Sequence, residues 1–223
     1  KPKSPARPVH YNCWEAVYFR HSIEELKEIA TTAAELGAER FVLDDGWFKG
    51  RNDDTTSLGD WTVDEAKYPQ GLTPLVDHLL ALGMRFGIWF EPEMVNHDSD
   101  LYRLHPDWIL GPAGQPSGRN QHVLDLSKPE VCAYLFEAVS AILSRYPVDY
   151  VKWDHNRILT GGSVAQTQAL YALLARFDEA FPDVEIESCA SGGGRIDYGI
   201  LAHTTRVWLS DSNDALERLR MQH

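Results

Sequence analysis

Basic residues are in short supply in this chain. Across 223 residues, 21 lysines and arginines stand against 33 aspartates and glutamates, a formal net charge of −12. Such a balance leaves no basic face, which argues against nucleic acid and anionic membranes as partners. Cysteine is sparse as well. Cys13, Cys132 and Cys189 are widely spaced, odd in number and form no CxxC pair. That excludes a disulfide framework and a zinc signature, and makes a reducing, cytoplasmic compartment the expectation. No apolar run reaches membrane-span length, and no signal-peptide pattern is present. No Gly-rich dinucleotide fingerprint follows the first expected strand, which lowers a nucleotide-binding reading. The chain opens on Lys1, not Met, and its Pro-rich start reads as a linker over residues 1–8 from a preceding domain. Residues 9–223 then read as one domain, ample for a core.

What the chain does have is alternation. Strands are expected at 9–14, 40–43, 85–90, 149–154, 184–189 and 206–209. Between them lie helical patterns. Ser22 with Glu25, and Ser127 with Glu130, read as capping boxes. Gly37 and Gly83 read as helix stops. Six strands alternating with helices imply a parallel sheet with helices packed outside it. The expected fold is α/β, a (β/α)8 TIM-type barrel. It is apparently partial: about six βα units are present, truncated at the C-terminal side, where a full barrel needs eight.

Acids end these strands: Asp44 and Asp45, Glu91 and Glu93, Asp154, Asp211 and Asp214. Trp14, Trp47, Trp89, Trp153 and Trp208 are expected on the same rim. Carboxylates bond hydroxyls bidentately and indole faces stack on the apolar face of a pyranose, so the set suits a sugar. Taken singly, each tryptophan reads first as core, and it is the set at the strand ends that reads as a site. Asp154 lies between Lys152 and Arg157, and nearby cations favour the charged carboxylate. An ionised carboxylate at a strand end is suited to attack an electron-poor carbon, with a loop salt bridge as the alternative. Asp211 follows a mostly apolar approach, Arg206–Ser210, which suits a general acid. Its alternative is to cap the last helix, a role Asp214 fits better. At the ends of strands four and six the two acids would face one pocket. A carboxyl separation of about 5 Å would imply retention of configuration. A metal site from Asp44, Asp45, Asp154 and His155 is opposed by the cations beside Asp154, so no metal and no cofactor is expected.

Seven stretches run in order from about residue 8 to the end: NCWEA (Asn12–Ala16), LDDGW (Leu43–Trp47), WFEPE (Trp89–Glu93), RNQHVLDL (Arg119–Leu126), YVKWDHNR (Tyr150–Arg157), CASGGGR (Cys189–Arg195) and WLSDSND (Trp208–Asp214). Together they resemble the catalytic barrel of family 36 glycoside hydrolases, the microbial α-galactosidases. The resemblance implies a retaining hydrolase of terminal α-D-galactosides of the melibiose and raffinose type, working through a glycosyl-aspartate intermediate. In it Asp154 corresponds to the nucleophile and Asp211 to the acid/base. Asp44 and Asp45 match the pair that holds galactose hydroxyls on the C4/C6 side. Lys152 and Asn156 match sugar ligands beside the nucleophile. Cys189 and Gly192 match the loop against the C2 hydroxyl, and Trp14, Trp89 and Arg119 match pocket walls. Cys189 reads otherwise as a buried apolar thiol, and His155 as structural.

Free-standing members of that family also carry a β-sandwich before the barrel and a β domain after it, and are often tetramers, so a homo-oligomeric parent is implied. The partners implied are α-galactoside oligosaccharides. The same chemistry would serve an α-N-acetylgalactosaminidase or a galactosyl transferase. A reading from another class is a non-catalytic, galactoside-binding or inactive barrel fragment, since six units leave two strand edges unpaired. A metal-dependent barrel hydrolase is the third.

Overall fold

A computed structural model describes residues 6–159, 161 and 164–221. Most of the expected linker at 1–8 lies outside the described residues. In chain order the first elements are β1 (His10–Asn12), α1 (Trp14–Val17), α2 (Ile23–Glu35), β2 (Arg40–Leu43), β3 (Pro69–Leu72), α3 (Thr73–Ala81) and β4 (Arg85–Phe90). A loop region carries β5 (Met94–Asn96), α4 (Asp100–Leu104) and β6 (Gln121–Val123). Then come α5 (Pro129–Arg145), β7 (Val148–Trp153), α6 (Val164–Ala180), β8 (Glu185–Ser188), α7 (Tyr198–His203), β9 (Arg206–Val207) and α8 (Ala215–Met221).

Six of the strands form one sheet in the order β1-β2-β4-β7-β8-β9, every pair parallel. Parallel strands covered on both faces are apolar throughout rather than alternating. Accordingly Arg40–Leu43 is buried at all four positions, and Phe86–Phe90 at all five. The helices supply the outer layer: α2 turns Ile23, Leu26, Ala30 and Ala33 inward, and α5 turns Val131, Leu135 and Val139. The sheet curls. Arg206 of β9 reaches His10 of β1 at 2.8 Å, although the two strands stand at opposite edges. This is the wall of a partial (β/α) barrel of TIM type, six units long.

A buried ionic layer closes its N-terminal side. Arg40, at the start of β2, holds Asp149 through two bonds of 2.9 and 2.6 Å and Glu185 at 3.2 Å. Its guanidinium also lies 4.6 Å from the Tyr150 ring. Such a layer is costly to break, because removing one partner strands the others' charge.

Neither expected capping box forms. Ser22 stands at the N-cap of α2, but its hydroxyl turns to Glu24 at 3.4 Å and caps no backbone N–H. Ser127 closes instead on Asp125, at 2.5 Å, and α5 starts later, with Pro129 at its first position. Pro fits there because its missing N–H would have no intrahelical partner. The cap expected of Asp214 is present: Asp214 Oδ1 accepts the Glu217 N–H at 2.9 Å.

Candidate active site

The C-terminal ends of the strands open into a cavity of about 630 Å³. Its walls include Trp14, Asp44, Asp45, Trp89, Arg119, Lys152, Asp154, Asn156 and Asp211. Nine of the eleven residues singled out from the sequence therefore meet in one place. The other two, Cys189 and Gly192, stand just behind it.

Asp154 follows the last residue of β7 and is buried. Its Oδ1 accepts the His155 N–H at 2.8 Å. Its Oδ2 accepts Trp89 Nε1 at 3.1 Å and Asn156 Nδ2 at 2.7 Å. The Cys189 thiol also donates to it. Burial works against the charge of this carboxylate, but the Lys152 ammonium and these donors outweigh it and hold Asp154 below the usual carboxylate range. Burial likewise opposes the ammonium of Lys152, yet Asp44, at 3.1 Å, and Asp154 hold it above its ordinary range. Lys152 thus puts a fixed cation between the two carboxylates. Burial first, and then the charge of Asp154, push the Cys189 thiol far up, so it stays a neutral donor.

The Asp44–Asp45 pair divides its work. Asp44 accepts from Asn12 Nδ2, from Lys152 and from the Asp45 N–H at 2.9 Å. Asp45 is clamped by Arg51 through bonds of 2.9 and 2.8 Å. Burial raises Asp45 above the usual range, with Arg51 pulling against it. Bidentate geometry fixes the orientation of Asp45 as well as its charge.

Asp211 lines the same cavity, from the segment after β9. Its Oδ1 accepts Trp208 Nε1 at 2.8 Å. The apolar approach expected from Arg206–Ser210 does not enclose it, and Asp211 is exposed. The tryptophan is itself held, with Arg218 at 4.5 Å and Lys152 at 5.6 Å from its ring. The glycine loop supports the same segment from behind. Gly193 N donates to the Leu209 carbonyl at 3.0 Å. Gly192 has φ +87°, and a Cβ there would stand 2.9 Å from Ser210 Cα. Only glycine lets the two backbones approach this closely.

Two expected rim tryptophans are core. Trp47 and Trp153 are fully buried and give their indole N–H to the Trp89 carbonyl and to Glu93 Oε1, each at 2.9 Å. Trp14, Trp89 and Trp208 reach the cavity. Glu93 turns away from it: Arg195 Nη1 lies 2.8 Å from its carboxylate and His155 Nδ1 3.4 Å. Burial opposes its charge, but the Arg195 guanidinium first, and then the His155 and Trp153 hydrogen bonds, hold Glu93 well below the usual range. The pairing ties the glycine loop to the end of β4. Arg119 stands with φ +54° on the turn before β6, exposed at the cavity mouth.

Several wall residues were not singled out as site residues: Asn12, Arg51, Gln121, Glu187, Asn213 and Arg218. Asn12 ends β1 and could have been found by the rule that strand ends carry the site. Arg51 and Gln121 arrive from loops, where nothing in the local sequence signals them. Among the described residues, no group of three or more His, Cys, Asp or Glu side chains is arranged to hold a metal. No helix among them is long and apolar enough to cross a membrane.

A family model described as Melibiase matches residues 1–223. An α-galactosidase of Escherichia coli is 55% identical over 230 residues, covering 99% of this chain and 32% of the relative. The α-galactosidase AgaA of Geobacillus stearothermophilus is 46% identical over 232 residues, covering 97% of this chain and 32% of the relative. The crystal structure of that GH36 enzyme superposes with a TM-score of 0.91 at 46% identity, over 98% of this chain and 32% of that one. The galactosidase domain of the α-galactosidase–sucrose kinase AgaSK superposes with a TM-score of 0.93 at 43% identity, over 98% of this chain and 31% of that one. The chain thus spans about a third of the length of the curated relatives it matches.

Proposed function

The chain belongs to the melibiase family, the GH36 α-galactosidases, and from that premise we propose that it carries the catalytic centre of a retaining α-galactosidase. The substrates are terminal α-D-galactosides of the melibiose and raffinose type. Variants of AgaA have been solved in complex with raffinose and with stachyose, which supports this substrate class.

The observation that carries the reading is one cavity lined by two carboxylates in unlike surroundings. Asp154 is buried, ionised and fixed by four donors. Asp211 is exposed in the same cavity and, among the described residues, accepts from Trp208. Different environments assign different tasks to two acids. In the first step Asp154 attacks the anomeric carbon as Asp211 gives its proton to the departing glycosidic oxygen. The galactosyl group is left as an ester on Asp154. In the second step Asp211 takes a proton from water, whose oxygen displaces Asp154 and releases α-galactose. Asp44, with Lys152 and Asn12 at its back, is set to accept hydroxyls on the axial C4 side. Cys189, a neutral donor packed behind Asp154, sits against the C2 side. The free thiols Cys13, Cys132 and Cys189 suit a reducing, cytoplasmic compartment.

The test follows the anomeric proton of the first sugar released from an aryl α-galactoside, by NMR, in the full-length protein. Early α-galactose that is lost in Asp154→Asn is the expected result. Early β-galactose, or an Asp154→Asn variant as active as wild type, would overturn the assignment.

A further inference from the structure

Glu91 is a carboxylate of the cavity wall to which the two catalytic steps give no task. It follows the last residue of β4 and is 2% exposed. Its Oε1 accepts Gln121 Nε2 at 2.7 Å and also the backbone N–H of Asn156. Asn156 in turn gives its side-chain amide to Asp154. Gln121 opens β6, two residues after Arg119, and its carbonyl accepts Arg157 Nη1 at 2.7 Å. One oxygen of Glu91 therefore ties the nucleophile's loop to the strand pair that carries the cavity mouth.

The charges around Glu91 are already matched elsewhere. Lys152 bonds Asp44, Arg51 bonds Asp45, and Arg195 bonds Glu93. Arg157 is spent on the carbonyls of Gln121 and Pro116. Among the described residues no cation pairs with Glu91, and the charge that bears on it is that of Asp154. Glu91 and Asp154 accept from the same residue, Asn156, and two buried carboxylates that share a site do not both ionise freely. Both acids have donors, but the cation, Lys152, stands by Asp154, so the proton that the pair retains belongs to Glu91. Burial and the charge of Asp154 both push the Glu91 carboxyl up, and the hydrogen bonds from Asn156 and Gln121 only partly offset them.

We propose that Glu91 is a positioning residue for the nucleophile and works as an uncharged acid. Through Oε1 it holds Asn156 and Gln121 in place, and by keeping its proton it leaves Asp154 as the ionised member of the pair. The inference rests on the reading of Asp154 as nucleophile.

The test compares wild type, Glu91→Gln and Glu91→Ala in the full-length protein. The rate on an aryl α-galactoside is followed against pH, and the carboxyl stretch by isotope-edited infrared spectroscopy. Alanine leaves two buried donors unmatched, and kcat is expected to fall roughly 10- to 100-fold. Glutamine keeps an accepting oxygen without charge, so it is expected to recover most of that loss. It should also leave the acid limb of kcat/KM where wild type has it. A neutral-carboxyl band present in wild type near neutral pH should be missing in Glu91→Gln. The proposal is overturned if no such band is lost, or if Glu91→Gln moves the acid limb down by about one unit or more. That shift would mean that a charged Glu91 had been raising the proton affinity of Asp154. A wild type that cleaves no galactoside, or an Asp154→Asn variant that still does, would instead refute the reading of Asp154, and the infrared band would still decide the state of Glu91.

Discussion

Gly192 offers a way to disturb the acid more than the nucleophile. At φ +87° an alanine is strained, and the left-handed region costs a non-glycine residue about 1–2 kcal/mol. The added methyl would also meet Ser210 Cα at 2.9 Å, Leu209 O at 3.3 Å and Asp211 N at 3.4 Å. All three are backbone atoms, so the strain cannot be relieved by turning a side chain. The Ser210–Asp211 segment has to shift by some tenths of an ångström, and the Asp211 carboxyl shifts with it. Asp154 keeps its donors from Trp89, Asn156 and the His155 N–H, and only its fourth donor, Cys189, is linked to Gly192, through the glycine's backbone. General acid catalysis is worth about 10²–10⁴-fold when fully present. A partial misplacement should therefore cost Gly192→Ala on the order of 30- to 100-fold in kcat/KM on raffinose, whose leaving group needs the proton. An aryl α-galactoside with an acidic phenol leaving group needs little acid help and should lose under about fivefold. The assay is the pair of kcat/KM values, measured well below the variant's melting temperature. Equal losses on both substrates would refute the claim that the glycine loop acts through Asp211.

Lys152→Met removes the cation that most lowers Asp154, so the proton affinity of Asp154 rises. The acid limb of kcat/KM should move up by about 1–3 units, with activity lost first at low pH and never gained there; an unmoved limb would contradict the electrostatic role. Arg40→Met strands the buried Glu185 and leaves Asp149 only Arg85, at 3.5 Å, at the bottom of the barrel, and should cost about 3 kcal/mol in chemical denaturation. The pH profile of the surviving activity should be that of wild type, since this layer lies at the opposite ends of the strands.

The parts of this molecule that could be read from the sequence are those dictated by neighbours along the chain. Arg40–Leu43 is an apolar run after a glycine stop, and it is a strand with those bounds. Asp154 carries its cation two residues before it, and that cation is the one beside it in space. Legibility fails where distant segments decide. Ser127 has the residues of a capping box, but Asp125 and Pro129 draw it into a turn. Met94–Asn96 and Gln121–Val123 pair antiparallel across a long excursion, and the turn residues scattered through it, such as Gly111-Pro112 and Ser117-Gly118, do not say which two short runs meet. Trp47 and Trp153 stand beside site acids in sequence, yet packing against Phe90 and Phe177 sends them into the core. Arg51 enters the site from a loop because Asp45, at the end of a buried strand, needs a counter-charge there.

The most direct test of Asp154 as nucleophile is to trap the ester. The full-length protein is treated with an activated fluorinated galactoside that forms the glycosyl-enzyme quickly and releases it slowly, then digested and sequenced by mass spectrometry. The account predicts one galactosyl adduct, on the peptide that contains Asp154, and none in Asp154→Asn. An adduct on another carboxylate, such as Asp44, Glu91 or Asp211, would contradict it.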